Sequence, residues 1–414
     1  MRAGRYVKQV EGYRAFLPTP LPPDPPLVMD TELIRLLSEA DRSLGRLDGV
    51  TSVLPNPDLF VAMYVRHEAV LSSQIEGTQS TLEDVLQFEI DVKGHDRPKD
   101  VEEVVNYVHA MNYGLERLKG LPFSLRLIRE IHAKLLEGVR GGDRTPGEFR
   151  RSQNWIGHEG CTLATASFVP PPVYEMHHAL DNLEKFLHET LSFPVLIHCG
   201  LSHAQFETIH PFIDGNGRIG RLLITFLLCQ RGVLQRPLLY LSYYLKTHRA
   251  EYYDRLMAIR NEGNWEGWLK FFLRGIYEVS HAATVTARVI LSLREGHRQA
   301  IAHKMGGSAA GLRLLDFLFE QPLISVRLVE QHLQCSYVTA SKLVEQFVEL
   351  DLLRETTGWQ RNRRYRYEPY LVLFEPSGLA IETPTLPDAV VQTTRSADTE
   401  DSGVGGFLLP PYHS

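Results

Sequence analysis

A chain of 414 residues, 43% hydrophobic and 23% charged, has room for two to four folded domains and is not disordered throughout. Its 31 Gly and 24 Pro exclude collagen-like and Pro-rich low-complexity classes. A net charge of −6 excludes general polyanion binding, so any contact with nucleic acid must be local.

Cys161, Cys199, Cys229 and Cys335 lie far apart, without CxxC or CxC spacing, which argues against a disulfide framework or a cysteine-based zinc site. No apolar run opens the chain, and the most apolar internal stretch, Leu222 to Cys229, is too short to cross a bilayer. A cytoplasmic protein with no membrane contact is expected.

Residues 1–30 read as an extended N-terminal arm, because the run Pro18 to Pro26 fixes φ and removes donors. An N-terminal helical region follows over 31–100. Apolar residues three and four apart begin at Thr31, break at Pro55 and Pro57, and resume from Leu59 to Ile75. Gly77 stops that helix, a third segment runs from Ser80 to Phe88, and Lys93 to Lys99 read as a loop. Residues 101–293 form the next unit. Helices are expected over Val101–Arg117 and, capped by Ser124, to Gly138; 140–173 read as loops with a short β-hairpin. Further helices are expected over Tyr174–Leu191, Pro194–His210, Gly217–Arg231, His248–Asn261 and Trp265–Leu293. A polar linker is expected at 294–308. Residues 310–374 read as a distinct helix, helix, turn, helix and strand-pair unit. The tail, 375–414, holds six acids against one base and reads as poorly ordered.

The informative stretch is His210-Pro-Phe-Ile-Asp-Gly-Asn-Gly-Arg-Ile-Gly-Arg221. Pro211 ends one helix, and Gly215, Asn216 and Gly217 tolerate the positive φ of a tight concave turn. The free N–H groups and positive dipole end of the next helix face that turn and suit an anion. Arg218 and Arg221, three apart, share a face and can grip a polyphosphate. Asp214 beside phosphates suits Mg²⁺, and His210 suits a base at the lip of the site. His198, His203 and His210 lack the i,i+4 spacing of paired zinc ligands, and the first two read as core or capping residues.

These twelve residues match the HxFx(D/E)GNGRxxR signature of the Fic (filamentation-induced-by-cAMP) family at every defined position. PGEFRRSQNWIG (146–157), ASFVPPP (166–172), LYLSYYLKTHRAEYYDRL and WEGWLKFFL also resemble bacterial members, so about residues 30–290 map onto a Fic protein. The resemblance implies a mainly α fold: a helical core with a β-hairpin flap, an N-terminal helical region and a C-terminal winged helix. It implies transfer of AMP from ATP, with Mg²⁺, to a Ser, Thr or Tyr hydroxyl of a target protein. His210 would be the general base and Asp214 the Mg²⁺ ligand. Gly215, Asn216, Gly217, Arg218, Ile219, Gly220 and Arg221 would bind nucleotide, Tyr252 would lie near the adenine, and Thr165, Ala166, Ser167 and Phe168 would form the target-docking flap. Ser72-Ser-Gln-Ile-Glu76-Gly77 matches the family's inhibitory motif, in which the glutamate pairs with the second motif arginine, here Arg221, and misplaces the γ-phosphate. ATP, a target protein and the chain itself, through self-modification or a homodimer, are the implied partners.

The 310–374 unit looks like a winged helix. Arg361, Arg363, Arg364 and Arg366 would suit DNA phosphates, although its eight acids and eight bases between 313 and 368 leave it neutral, and protein docking competes. Two other functions compete with transfer: a DNA-binding regulator with a nucleotide-sensing core, and an enzyme that also removes AMP.

Overall fold

Two consecutive apolar segments set the architecture. VLIHCGLSHAQFETI and NGRIGRLLITFLLCQ carry apolar residues on every face, so each helix must be surrounded by others. In the computed structural model, which describes residues 2–52, 57–90, 100–138, 145–158, 160–189, 193–359 and 361–375, they are the buried centre. The break expected at Pro55, the loop at 93–99, part of the loop at 140–173 and the tail beyond Glu375 lie outside those residues.

The chain opens with an antiparallel hairpin, β1 (Gly4–Lys8) and β2 (Arg14–Pro18), paired Gly4↔Pro18 through Lys8↔Arg14. The expected extended arm is therefore a structured element up to Pro18. Ala15 and Phe16 are fully buried, and Arg2 pairs with Glu266 at 2.8 Å. Then come α1 (Thr31–Ser52), α2 (Pro57–Ile75), α3 (Leu82–Ile90), α4 (Val101–Leu118) and α5 (Leu125–Leu135). Ser124 caps α5, accepting from the Leu127 N–H. Among the described residues between α5 and α6 (Val173–His188), the expected hairpin is reduced to one antiparallel bridge, Ile156↔Phe168, with a Thr162–Thr165 turn.

The central pair α7 (Val195–Ile209) and α8 (Asn216–Gln230) follows, then α9 (Ser242–Thr247), α10 (Arg249–Glu262) and α11 (Trp265–Lys304). α1 packs along α11. The linker expected at 294–308 is mostly helix, because α11 continues to Lys304. Its last turns have tertiary partners: Arg294 pairs with Asp316 at 2.7 Å, the His297 ring meets the Tyr367 hydroxyl at 2.7 Å, and Ile301 is fully buried.

The C-terminal elements are α12 (Ala309–Glu320), β3 (Leu323–Ser325), α13 (Val326–Leu333), α14 (Tyr337–Glu349), β4 (Arg354–Glu355), β5 (Arg364–Arg366) and α15 (Glu368–Leu371), in a three-stranded sheet ordered β3-β5-β4. This unit packs on α2 and α3. Phe374, 4% exposed, lies 5.6 Å from the Tyr64 ring and 5.9 Å from the His67 ring of α2. Arg66 donates to the Glu320 carbonyl and pairs with Glu89, and Arg366 pairs with Glu83.

Candidate functional site

α7 ends at His210, which adopts left-handed backbone (φ 50°), and α8 starts after Gly215 (φ 78°). The intervening loop is pinned from several sides. The Asn216 side chain accepts from the Phe212 N–H and donates to the Phe212 carbonyl, both at 2.8 Å. Its amide thus holds the loop closed, while the first backbone N–H groups of α8 precede any intrahelical acceptor. Asn154 also donates to the Phe212 carbonyl at 2.8 Å, and Arg150 donates to the His210 and Pro171 carbonyls.

His132 of α5 stacks on Phe212 at 3.7 Å, accepts the Gly147 N–H at Nδ1 (2.9 Å) and meets the Asp214 carbonyl through Nε2 at 3.0 Å. A carbonyl only accepts, so Nε2 carries the proton and the ring is neutral. Burial pushes its pKa down to about 4. A similar relay lies under α8. Tyr252, 1% exposed, donates to His203 Nε2 (3.0 Å), and His203 Nδ1 donates to the Gly220 carbonyl (2.8 Å). The Tyr252 hydroxyl is therefore committed to the loop's support, and its neighbour Tyr253, 37% exposed, is the more open ring.

His210 itself is half-buried, with Nδ1 lacking a partner among the described residues. Burial, reinforced by Arg260 and Arg150, pushes its pKa down to about 3, so the imidazole is neutral and able to accept a proton. Asp214 Oδ1 accepts the Gly215 N–H at 2.6 Å and lies 3.7 Å from Arg218, which pairs with Glu103 at 3.1 Å. The described residues hold no cluster of three or more metal-ligating side chains. Glu103 and Glu76 are held by Arg218 and Arg221, so Asp214 is the one carboxylate the loop itself offers, and one such ligand does not suit a resident metal. It suits Mg²⁺ arriving with a nucleotide, since that ion takes one or two carboxylates and completes its shell with phosphates and water.

The far wall of the site is the end of α2. Arg221 donates from Nε to Ser72 Oγ (2.8 Å) and from Nη2 to the Ser72 carbonyl (3.0 Å) and Glu76 Oε1 (2.7 Å). Ser72 and Glu76, one helical turn apart, thus reach the same guanidinium. The Glu76 carboxylate also covers Gly217, where an added Cβ would collide with it. Burial opposes its charge, but Arg221, then Arg218, outweigh burial and hold the carboxyl below its ordinary range. An anion, the Glu76 carboxylate, therefore occupies the concave turn at the start of α8. Its side chain stays 38% exposed, so that anion can be displaced from the solvent side.

In the flap segment, Thr165 and Ser167 are exposed and Ala166 half-buried, whereas Phe168 is 2% exposed beneath the Arg260 guanidinium, 3.8 Å from its ring centre. Phe168 anchors the segment, and β2 continues it through the Phe16 N–H, which donates to the Val169 carbonyl at 2.9 Å.

The Fic/DOC family N-terminal model matches residues 34–116 and the Fic/DOC family model residues 122–228. Residues 34–228 therefore carry a Fic/DOC family region. A protein adenylyltransferase Fic of Culex quinquefasciatus is 27% identical over 271 residues, 59% of this chain and 49% of that protein. One of Aedes aegypti is 33% identical over 154 residues, 36% and 26%. The chain thus spans about half or less of the length of these curated relatives. A Fic family protein of Desulfovibrio desulfuricans G20 shares the fold at TM-score 0.53 and 20% identity, over 83% of this chain and 97% of that one.

Several residues of this Fic site are not singled out by sequence reasoning: His132, His203 as a relay, Arg150, Arg260, Asn154 and Glu103. Buried arginines look like surface arginines in a sequence. Glu68 had a readable signal, since Glu68, Ser72 and Glu76 repeat at helical spacing. It is buried against Ser242 and Tyr107, and burial pushes its pKa up to about 7.

Proposed function

We propose that this chain transfers AMP from ATP to a Ser, Thr or Tyr hydroxyl of a protein, releasing pyrophosphate, and that Glu76 restrains the reaction. The observation that carries this reading is the Glu76 carboxylate over Gly217, paired with Arg221: a carboxylate standing where a motif of Gly amides and phased arginines would receive a phosphate. The names of the relatives support adenylyl transfer over other phosphate chemistry.

The target hydroxyl oxygen forms a bond to the α-phosphorus, the bond from that phosphorus to the pyrophosphate oxygen breaks, and the hydroxyl proton passes to the neutral His210 imidazole. The α8 amides and Arg218 hold phosphate oxygens, and Arg221 takes the outermost phosphate once Glu76 leaves it. Asp214 would hold Mg²⁺, which supplies charge neutralisation when bound. The exposed edge at 165–167 presents the target strand. His132, Arg150 and the Tyr252–His203 pair keep the loop in place without touching substrate. Residues 309–374 we read as a winged helix, from their element order and the β3-β5-β4 sheet.

The test is incubation of the Glu76→Gly protein with ATP and Mg²⁺, followed by intact-mass measurement. Covalent AMP on the chain or on a co-expressed protein supports transfer. ATP binding without any adduct would replace the reading with a nucleotide sensor.

A further inference from the structure

The unit after α11 is neutral in sequence, but the fold sorts its charges. Asp316 pairs with Arg294 and Glu368 with Arg366, each at 2.7 Å. Glu355 accepts the Thr357 and Gly358 N–H groups at 2.9 and 3.0 Å, so its charge is used inside the β4–β5 loop. Arg327 on α13, Lys342 on α14, and Arg361 and Arg363 in the β4–β5 loop are all exposed and make no ion pair with a described residue. Three of these four cations line one groove of about 1230 Å³, together with Arg364. Glu330 and Glu345 are the acids that line it, which leaves a positive excess.

The groove is bordered by α14, whose first two turns carry no acid. α14 buries Ala340, Leu343, Val344 and Phe347 and leaves Tyr337 52% and Val338 76% exposed, beside half-buried Ser341. Trp359 projects from the β4–β5 loop, 53% exposed, with the Arg364 guanidinium 5.7 Å from its ring centre.

We propose that this face binds duplex nucleic acid, with α14 entering the major groove and Arg327, Lys342, Arg361 and Arg363 contacting phosphates on either side. A helix of this kind fits the width of a major groove, hydroxyl and methyl-bearing side chains can meet base edges, and flanking cations set the register. The inference stands independently of the adenylyl-transfer reading.

The test uses the full chain and a fluorescently labelled mixed-sequence DNA duplex, with anisotropy read across a salt series. Four phosphate contacts give a log–log salt slope of about −3.6, so affinity falls about 150-fold between about 50 and 200 mM salt. Arg361→Glu with Arg363→Glu lowers affinity at least tenfold and flattens the slope by about two. A control with the same charge change at exposed Lys119 and Arg126 keeps most of the affinity. Circular dichroism confirms that both variants fold. The proposal is overturned by the absence of binding at about 50 mM salt, by equal losses in the two double variants, or by poly-glutamate competing as well as unlabelled duplex, which would assign the face to an acidic protein.

Discussion

Replacing Glu76 with Gly removes one partner of Arg221 and leaves the other. Ser72 still accepts from Nε and, through its carbonyl, from Nη2, so the guanidinium stays aimed at the turn. What is lost is one charge-assisted bond of 2.7 Å and the carboxylate over Gly217. A hydrogen bond to a charged group contributes about 1.5–3 kcal/mol, and an incoming phosphate must displace this one before it can pair with Arg221. At about 1.4 kcal/mol per factor of ten, the release is worth roughly ten- to 150-fold in transfer rate. The assay is the initial rate of label incorporation from ATP carrying a labelled α-phosphate, with wild type, Glu76→Gly, and Glu76→Gly combined with Arg221→Ala. The single variant rises by at least about tenfold, and the double variant falls back toward the basal rate. Equal rates for wild type and Glu76→Gly would refute the reasoning and leave Glu76 a helix-end residue, or one that orients water for AMP removal.

His210→Ala abolishes incorporation while ATP affinity, measured by calorimetry, changes little, because the α8 amides and the arginines hold the phosphates; undiminished labelling would remove His210 from the proton-transfer role. Phe374→Ala loosens the packing on Tyr64 and His67 of α2, at a cost of about 3–5 kcal/mol for a buried Phe, and raises basal transfer in the wild-type background but not in Glu76→Gly. A rise of equal size in both backgrounds would show that α2 is not the element affected. Acid weakens the fold in a defined window. Burial lowers His67, His132 and His203 to about 4 and His210 to about 3, so their stabilising effect is full above pH 6.5 and is lost as pH falls toward those values. Glu68 and Glu207, raised to about 7 by burial, act in the opposite sense and favour the fold as pH falls from 7 toward 4.5. Four histidines less two glutamates leave a net uptake of about two protons on unfolding between pH 6.5 and 4.5, a loss on the order of 3 kcal/mol per pH unit. Tm therefore falls across that window, and a Tm that rises on acidification would contradict these assignments.

The loop was legible because its chemistry is local: a Pro stop, positive-φ glycines and arginines three apart lie within twelve residues. The Ser72–Glu76 spacing was equally readable, since one helical turn fixes the shared face. What supports the loop was not. His132 lies 82 residues from the carbonyl it holds, and Arg260 is 92 residues from the Phe168 ring it covers. Such pairs are made by packing, and nothing in the local pattern distinguishes a buried guanidinium from a solvated one. The N-terminal hairpin was hidden by the prolines after it, although Phe16 finds its burial against Phe168. Polar composition near residue 300 suggested a linker, whereas Arg294, His297 and Ile301 each meet the C-terminal unit and keep α11 helical. That unit, which composition set apart, packs its last residues on α2, the helix that leads directly into Glu76.

The central claim is that this site moves the α-phosphorus of ATP directly onto a protein hydroxyl, with His210 taking the hydroxyl proton. The most direct measurement incubates the Glu76→Gly protein with ATP labelled at the α-phosphate or, separately, at the γ-phosphate, and counts label that survives denaturation. The account predicts stable label from the α position, none from the γ position, and none from either when His210→Ala is added. Label arriving from the γ position, or α-label undiminished by His210→Ala, would contradict it.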